Sequence, residues 1–378
     1  MSRRLLVLLG ALAAAVGLSV PAATAARGML VGLQDDAMTL YGNPTFTYRT
    51  LRQLRVQIVR INLYWGGPHG VAERRPADPT DPADPAYEWT LYDRAVRYAA
   101  QNRMRVLFSI YYTPRWAGGG RSRNVAPRNM TDLQNFAYAA AQRYSGRYIA
   151  PEDPTQTYLP AVRHWLVWNE PNNPIWLSPQ FSGRTIVSAR NYARMCEAAW
   201  RGIHYTAFAG EKVACGATGP AGNNLPRSSR PSVSPLAFLR AAKRYGMRNF
   251  EAYAHHPYYG RPSETPTTRP RDRSAVRMGN FGALVRQLDA LYPSRKRIWI
   301  TEYGYQTPPD RQFGVSFARQ ARYVAQSFAL ARRNPRVDVM IWFMLRDDSN
   351  IRSGWQSGLI TRSGKRKPAF TTFSRLPH

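Results

Sequence analysis

Only two cysteines stand in the 378 residues, Cys196 and Cys215, without the paired spacing of a zinc site. That excludes both a structural zinc domain and a disulfide-dense scaffold. Histidine is almost as scarce, at six, with no second His or carboxylate at ligand spacing around His255 and His256. A metal centre is therefore not expected, and no cofactor is called for. No apolar run after residue 26 is long enough to cross a bilayer. The first strand-like run, GMLVGLQDDA, is not followed by G-x-G-x-x-G, so the dinucleotide fingerprint is missing. Acidic residues are few, 23 against 53 Lys and Arg, for a net charge of +30 carried almost wholly by Arg. Such a charge invites a nucleic-acid partner, but the arginines are scattered, with no basic run longer than Arg295–Arg297 or Lys365–Lys367. Binding a polyphosphate needs clustering, so the charge reads as a solvated surface. Affinity for an anionic polysaccharide or a cell wall stays open.

The first 26 residues join Arg3 and Arg4 to an apolar run and a small-residue stretch before Arg27. This is the pattern of a secretory signal peptide, residues 1–26, with a mature chain of 27–378 expected outside the cytoplasm. The start fits a twin-arginine signal only loosely, and the run breaks at Pro21, which argues against an uncleaved anchor. In an exported chain the two cysteines can bridge, one late in a helix and the other on the following strand. Two buried free thiols fit the sequence equally well.

From Gly28 onward short apolar runs alternate with longer amphipathic segments. Helices are expected over Phe46–Gln57, Thr90–Asn102, Met130–Ser145, Phe181–Thr206, Ser234–Tyr245, Met278–Leu291 and Val315–Arg333. Strands are expected at GMLVGLQDDA, IVRINLYW, RVLFSIYY, HWLVWNE, KVACGATGP, NFEAYAHHPYYG, RIWITEYGYQT and VDVMIWFML. Strands joined by helical crossovers pair in parallel, and eight such units predict an α/β fold, a single-domain (β/α)8 TIM barrel. Two loops rich in turn residues, Gly66–Tyr87 and Arg261–Arg273, are expected to shape the mouth.

Two of the runs end in carboxylates, HWLVWNEPNN at Glu170 and RIWITEYGYQT at Glu302. Each acid closes a strand nearly free of other charge, among aromatics and, for Glu170, beside Asn169. In one barrel both project into the same mouth, where paired carboxylates divide into acid and nucleophile. An ordinary solvated acid, or an ion pair with one of the many arginines, is the plainer alternative for either. Trp65, Trp116, Trp176 and Trp355 follow strand ends or lie in mouth-side loops, where indole faces stack on sugar C–H surfaces, although aromatics at such places are often packing.

With these residues in place the chain resembles the retaining (β/α)8 glycoside hydrolases, the clan of cellulase family 5 and xylosidase family 39. WNEP on the fourth strand and TEYG on the seventh look like its acid/base and nucleophile motifs. Arg60 matches the clan's Arg beside the nucleophile, His256 and Tyr258 its H-x-Y, Trp342 its eighth-strand Trp, and SGLITRSGKRKPAF its closing segment. At the third strand, Tyr111 and Tyr112 stand where family 5 usually has His, which leaves the sugar open. The resemblance implies that Glu302 attacks the anomeric carbon, that Glu170 serves as acid and then base, that Arg60 and Tyr258 hold Glu302 ionised, that Asn169 meets the sugar 2-hydroxyl and that His256 makes a polar contact in the sugar site. His255 alternates to the other face and reads as structural. The expected partner is a β-linked glycan. A transglycosylase would use the same residues, and a catalytically silent carbohydrate-binding barrel would have lost a carboxylate that this chain keeps.

Overall fold

In the computed structural model, which describes residues 28–206, 208–352 and 354–377, each expected apolar run is a strand. The strands are β1 Leu30–Gln34, β2 Ile58–Tyr64, β3 Arg105–Tyr111, β4 His164–Val167, β5 Lys212–Thr218, β6 Ala252–His255, β7 Arg297–Tyr303 and β8 Val337–Phe343. Each pairs in parallel with its neighbour, and β8 closes on β1, with Gln34 opposite both Arg60 and Phe343. The crossover helices are α1 Pro44–Gln53, α2 Thr90–Gln101, α3 Met130–Arg143, α4 Val187–His204, α5 Pro235–Arg244, α6 Gly282–Leu291, α7 Phe317–Arg332 and α8 Pro368–Ser374. The expected signal peptide lies outside the described residues, and among those residues no helix is long and apolar enough to cross a membrane.

Helix ends depart from the sequence reading where local hydrogen bonding wins. Helix α1 starts at Pro44, because Asn43 caps it by accepting from the Phe46 N–H, and it stops before Arg55, whose φ is 58°. Helix α4 begins at Val187 rather than Phe181, since Ser182 and Thr185 exchange both backbone hydrogen bonds in a small antiparallel bridge. Residues Met278–Asn280 form a 3-10 turn ahead of α6.

Alternation along each strand sorts the side chains. Ile58, Leu107, Leu166, Trp299 and Ile341 fill the barrel's interior, while the opposite strand faces pack under the helices. Fully burying each such side chain is worth about 1.5–3 kcal/mol, so the interior is a packed plug beneath the mouth. Gly32 is required there: a Cβ would lie 2.3 Å from Ile341 Cδ1. Cys196 of α4 and Cys215 of β5 are joined by a disulfide, which decides between the two states left open by the sequence.

Candidate active site

Glu302 reaches the mouth through an irregularity. The β7–β8 register shifts between Ile300 and Tyr303, and Thr301 and Glu302 both meet groups of the barrel interior. A bulge of this kind re-aims one side chain at the end of a regular ladder. Arg60, fully buried on β2, meets Glu302 Oε1 with Nη1 at 2.6 Å and also donates to the Thr301 carbonyl and Asn169 Oδ1. The Tyr258 hydroxyl donates to Glu302 Oε2 at 3.3 Å. Burial pushes the Glu302 carboxyl up, but the His256 and Arg60 charges and the Arg60 and Tyr258 hydrogen bonds outweigh it, so the group is held below the usual glutamate value.

Glu170 is presented differently. Beyond β4, Trp168 and Glu170 take left-handed backbone angles, φ 68° and 36°, and the Glu170 N–H donates to the Ala217 carbonyl of β5 at 2.8 Å. Strained non-glycine residues persist where surrounding contacts fix them, and they concentrate at working sites. Gly219 leaves the room: a Cβ there would stand 3.0 Å from the Glu170 carboxyl carbon. Trp176 Nε1–H donates to Glu170 Oε2 at 3.2 Å, with the Asn173 amide at 3.4 Å.

His256 joins the two acids. Its Nδ1 lies 3.1 Å from Glu170 Oε1 and 3.7 Å from Glu302 Oε2, and its Nε2 is 2.9 Å from Thr301 Oγ1. The ring is fully buried behind the carboxylates rather than offered to a sugar, which corrects the expected role of a substrate contact. One ligand atom from each of Glu170, His256 and Glu302 can be chosen within 4.8 Å of the others, the arrangement among the described residues that a metal ion could use. Such an ion would sit beside the Arg60 guanidinium, an electrostatic disadvantage. His255, also fully buried, binds Thr218 Oγ1 and the Val276 carbonyl and is structural.

The carboxylates face a cavity of about 680 Å³, also lined by Asn169, Trp176, Tyr258, Tyr111, Tyr112 and Trp355. Trp355 is partly exposed, with its ring 5.2 Å from that of Tyr258. Trp342 does not line the cavity: it is fully buried in the helix-side core and donates to the Ser357 carbonyl, while its neighbour Phe343 lines the cavity, which corrects the expected place of Trp342 at the sugar. Trp65 does not reach the cavity: it is fully buried, stacked on Phe136 and edge-on to Trp116. Trp116 donates to the Ala72 carbonyl and is likewise outside, so of the four indoles weighed for sugar contact these two are packing residues and Trp176 and Trp355 line the cavity. Nor do the loops Gly66–Tyr87 and Arg261–Arg273 line the cavity. The first folds on itself, with the Asp84 carboxylate accepting the N–H groups of Ala77, Asp78 and Ala86.

The sequence reading missed the β1 end, where Gln34, Asp35 and Asp36 all line the cavity. Asp35 takes N–H bonds from Met38 and Arg346, and burial nonetheless pushes its carboxyl up to about 7. Asp36 accepts from the Asn62 N–H and the Tyr64 hydroxyl, and burial also pushes it above the usual aspartate value. For Gln34 strand alternation was the available signal, because Leu30, Gly32 and Gln34 fall on one face of β1 and Leu30 packs on the interior.

The site is thus two carboxylates converging at the carboxyl ends of β4 and β7 of a closed parallel barrel. Residues 250–373, spanning β6 to β8 with His256, Tyr258 and Glu302, match the family model for the glycosyl hydrolase catalytic core. Comparison with curated proteins finds no match. Among solved structures, a family 39 glycoside hydrolase from Bacteroides cellulosilyticus WH2 superposes with TM-score 0.62 at 17% identity, covering 91% of this chain and 62% of that one. A glucosidase from Croceicoccus marinus gives 0.66 at 15% identity, covering 93% and 66%. The family 39 enzyme from Xanthomonas axonopodis pv. citri gives 0.59 at 18%, covering 93% and 67%. The chain thus spans less than two thirds of the first two, and at these identities the likeness is one of fold. The solved structures thus share the barrel fold, and the family model matches the last third of the chain, the part that carries Glu302.

Proposed function

We propose that the chain is an exported glycosidase that cleaves a β-linked glycan by double displacement with net retention. One observation carries this reading: a Glu170 oxygen and a Glu302 oxygen lie within 4.8 Å, with Arg60 bound to Glu302 alone of the two. Retaining enzymes hold their carboxyls about 5–5.5 Å apart, whereas inverting ones leave a wider gap for water. In the first step a Glu302 oxygen bonds to the anomeric carbon as the C–O bond to the leaving group breaks, and Glu170 gives its proton to that departing oxygen. In the second, Glu170 takes a proton from water, the hydroxide bonds to the anomeric carbon and Glu302 leaves as carboxylate. Arg60 and Tyr258 favour the anion at the start and end of the cycle, and His256 keeps both carboxyls in register. Asn169, fixed by Arg60, is placed for the sugar 2-hydroxyl, a contact that strengthens as the ring gains oxocarbenium character. The Cys196–Cys215 bond supports export, because disulfides persist in oxidising compartments.

The test is reducing-sugar release by residues 27–378 from β-glucans, mannan, xylan and uronic-acid-containing glycans, with Glu302→Ala beside the wild type. Release by the wild type alone upholds hydrolysis. Equal release by both removes Glu302 from the reaction, and transfer of the glycosyl group to added sugar without net release would make the protein a transglycosylase.

A further inference from the structure

The cavity has a polar floor that the two glutamates do not use. Gln34 ends β1, is 3% exposed and lines the cavity, yet its Oε1 is buried without a hydrogen-bond partner. Buried amides are ordinarily satisfied, so an unpaired one in a cavity wall points to a ligand. Asp36 follows two residues on, opening the short helical turn Asp36–Thr39, and lines the same cavity. Its Oδ1 accepts the Asn62 N–H and its Oδ2 the Tyr64 hydroxyl, which uses about two of the roughly four acceptor positions of a carboxylate.

The place of this floor follows from the chemistry. A leaving group must sit by the proton donor Glu170, where Ile175, Trp176 and Arg230 line the β4–β5 side. Between the two carboxylates the β6 side is filled by His256, which is fully buried. The sugar that is attacked must therefore extend toward β1, β2 and β8, over Gln34 and Asp36. Charge divides the cavity in the same sense. Its lining acids are Asp35, Asp36, Glu170, Glu302 and Asp348, and its one lining base, Arg230, is exposed on the β5–α5 loop. Arg60 is engaged by Glu302 and Asn169. A chain of net charge +30 thus carries an acidic cleft.

We propose that Gln34 and Asp36 form a subsite for an uncharged sugar with neighbouring hydroxyls, and that this subsite rejects a uronic acid. The amide donates to one hydroxyl and accepts from another, and the carboxylate accepts from a third. A sugar carboxylate would face Asp36 and Asp348, with the one lining base among the described residues, Arg230, on the β5–α5 loop. This specificity rests on the glycosidase reading above and names the class of sugar it takes.

The experiment uses the full chain bearing Glu170→Gln, which binds without turning over. It is titrated calorimetrically with β-linked disaccharides whose non-reducing unit is glucose, galactose, mannose, xylose or glucuronic acid. At least one neutral disaccharide should bind, with the glucuronosyl one weaker by roughly 30-fold, since like charges meet in a cleft that screens them less than bulk water does. Adding Gln34→Ala should weaken the neutral ligand about 10-fold, as expected for losing a buried hydrogen bond or two. Adding Asp36→Asn should narrow the neutral-to-uronic ratio. Circular dichroism checks that each variant is folded. Equal or tighter binding of the glucuronoside, no binding of any neutral sugar, or no change on Gln34→Ala overturns the subsite. Wild-type turnover separates the two claims: cleavage of glucuronides alone sinks the subsite and spares double displacement, whereas neutral sugars bound but never cleaved sink the hydrolytic reading and spare the subsite.

Discussion

Glu302 and Glu170 share one cavity and differ in almost everything that holds them. Glu302 rides a seven-residue strand and is bound by a fully buried guanidinium and a phenol. Glu170 hangs on a left-handed turn after a four-residue strand, held by an indole N–H and an amide. His256 is the common neighbour of both. One station thus combines cation and hydroxyl to favour an anion, as an attacking group requires. The other has the neutral donors of Asn173 and Trp176 and, among the described residues, no arginine or lysine bound to it. In the proposed reaction this asymmetry, more than the presence of two acids, assigns nucleophile and acid/base.

The sharpest way to break the comparison is to delete each carboxyl. Glu302→Ala should lower kcat by roughly 10⁴-fold or more, since the covalent step has no substitute. Added azide should restore turnover and give a product of inverted configuration, read by NMR. Glu170→Ala should cost about 10²–10⁴-fold on glycosides with poor leaving groups and much less on dinitrophenyl glycosides, which need no proton. Equal losses on both substrates would erase the distinction between the stations.

Next in size is Arg60→Gln, expected to reduce kcat/KM by roughly 10²-fold, because it unpairs a buried carboxylate. It also carries a pH signature. Glu302 is depressed when folded, so its contribution to stability is present above the unfolded glutamate value and is lost as pH falls through the folded one. Without Arg60 the burial that pushes the carboxyl up is less opposed, and the acidic limb of the kcat/KM profile should move to higher pH. A limb that stays in place would show that Arg60 does not set the charge of Glu302.

Smaller still, Trp176→Phe removes the indole donor from Glu170 and should lower kcat/KM by a few-fold to about 10-fold, as expected for one hydrogen bond, while Trp65→Phe should leave it unchanged. The Cys196–Cys215 bridge serves neither carboxylate directly. Replacing both cysteines by Ser should cost about 3 kcal/mol in denaturant unfolding, for a loop set by a separation of 19 residues, with kcat/KM intact.

The eight strands were legible because each is a short apolar run between amphipathic segments, and the two glutamates because each interrupts such a run at its end. Arg60 could be read as well: it shares the inward face of β2 with Ile58, Asn62 and Tyr64. The same count sends Trp65 outward onto Phe136, so its place in the core was also open to inspection. The β1 floor was harder. In GLQDDA the acids look like the start of a solvated loop, and only the neighbouring strands reveal that Gln34 stands opposite Arg60 and Phe343. The long loops were misjudged for another reason. Their length and turn composition announce a course over the surface, but which way they fold depends on local pairs such as Asp84 with its own backbone, and these turn the 66–87 loop away from the cavity.

The central claim is that Glu302 forms the covalent bond and Glu170 does not. Incubation of the mature protein with a 2-deoxy-2-fluoro β-glycoside of its accepted sugar, carrying a dinitrophenolate leaving group, should trap a glycosyl-enzyme. Peptide mass spectrometry should then place the added mass on Glu302, and the same incubation of Glu302→Ala should give unlabelled protein. A label on Glu170, or full turnover with no trapped intermediate and an inverted product, would contradict the account.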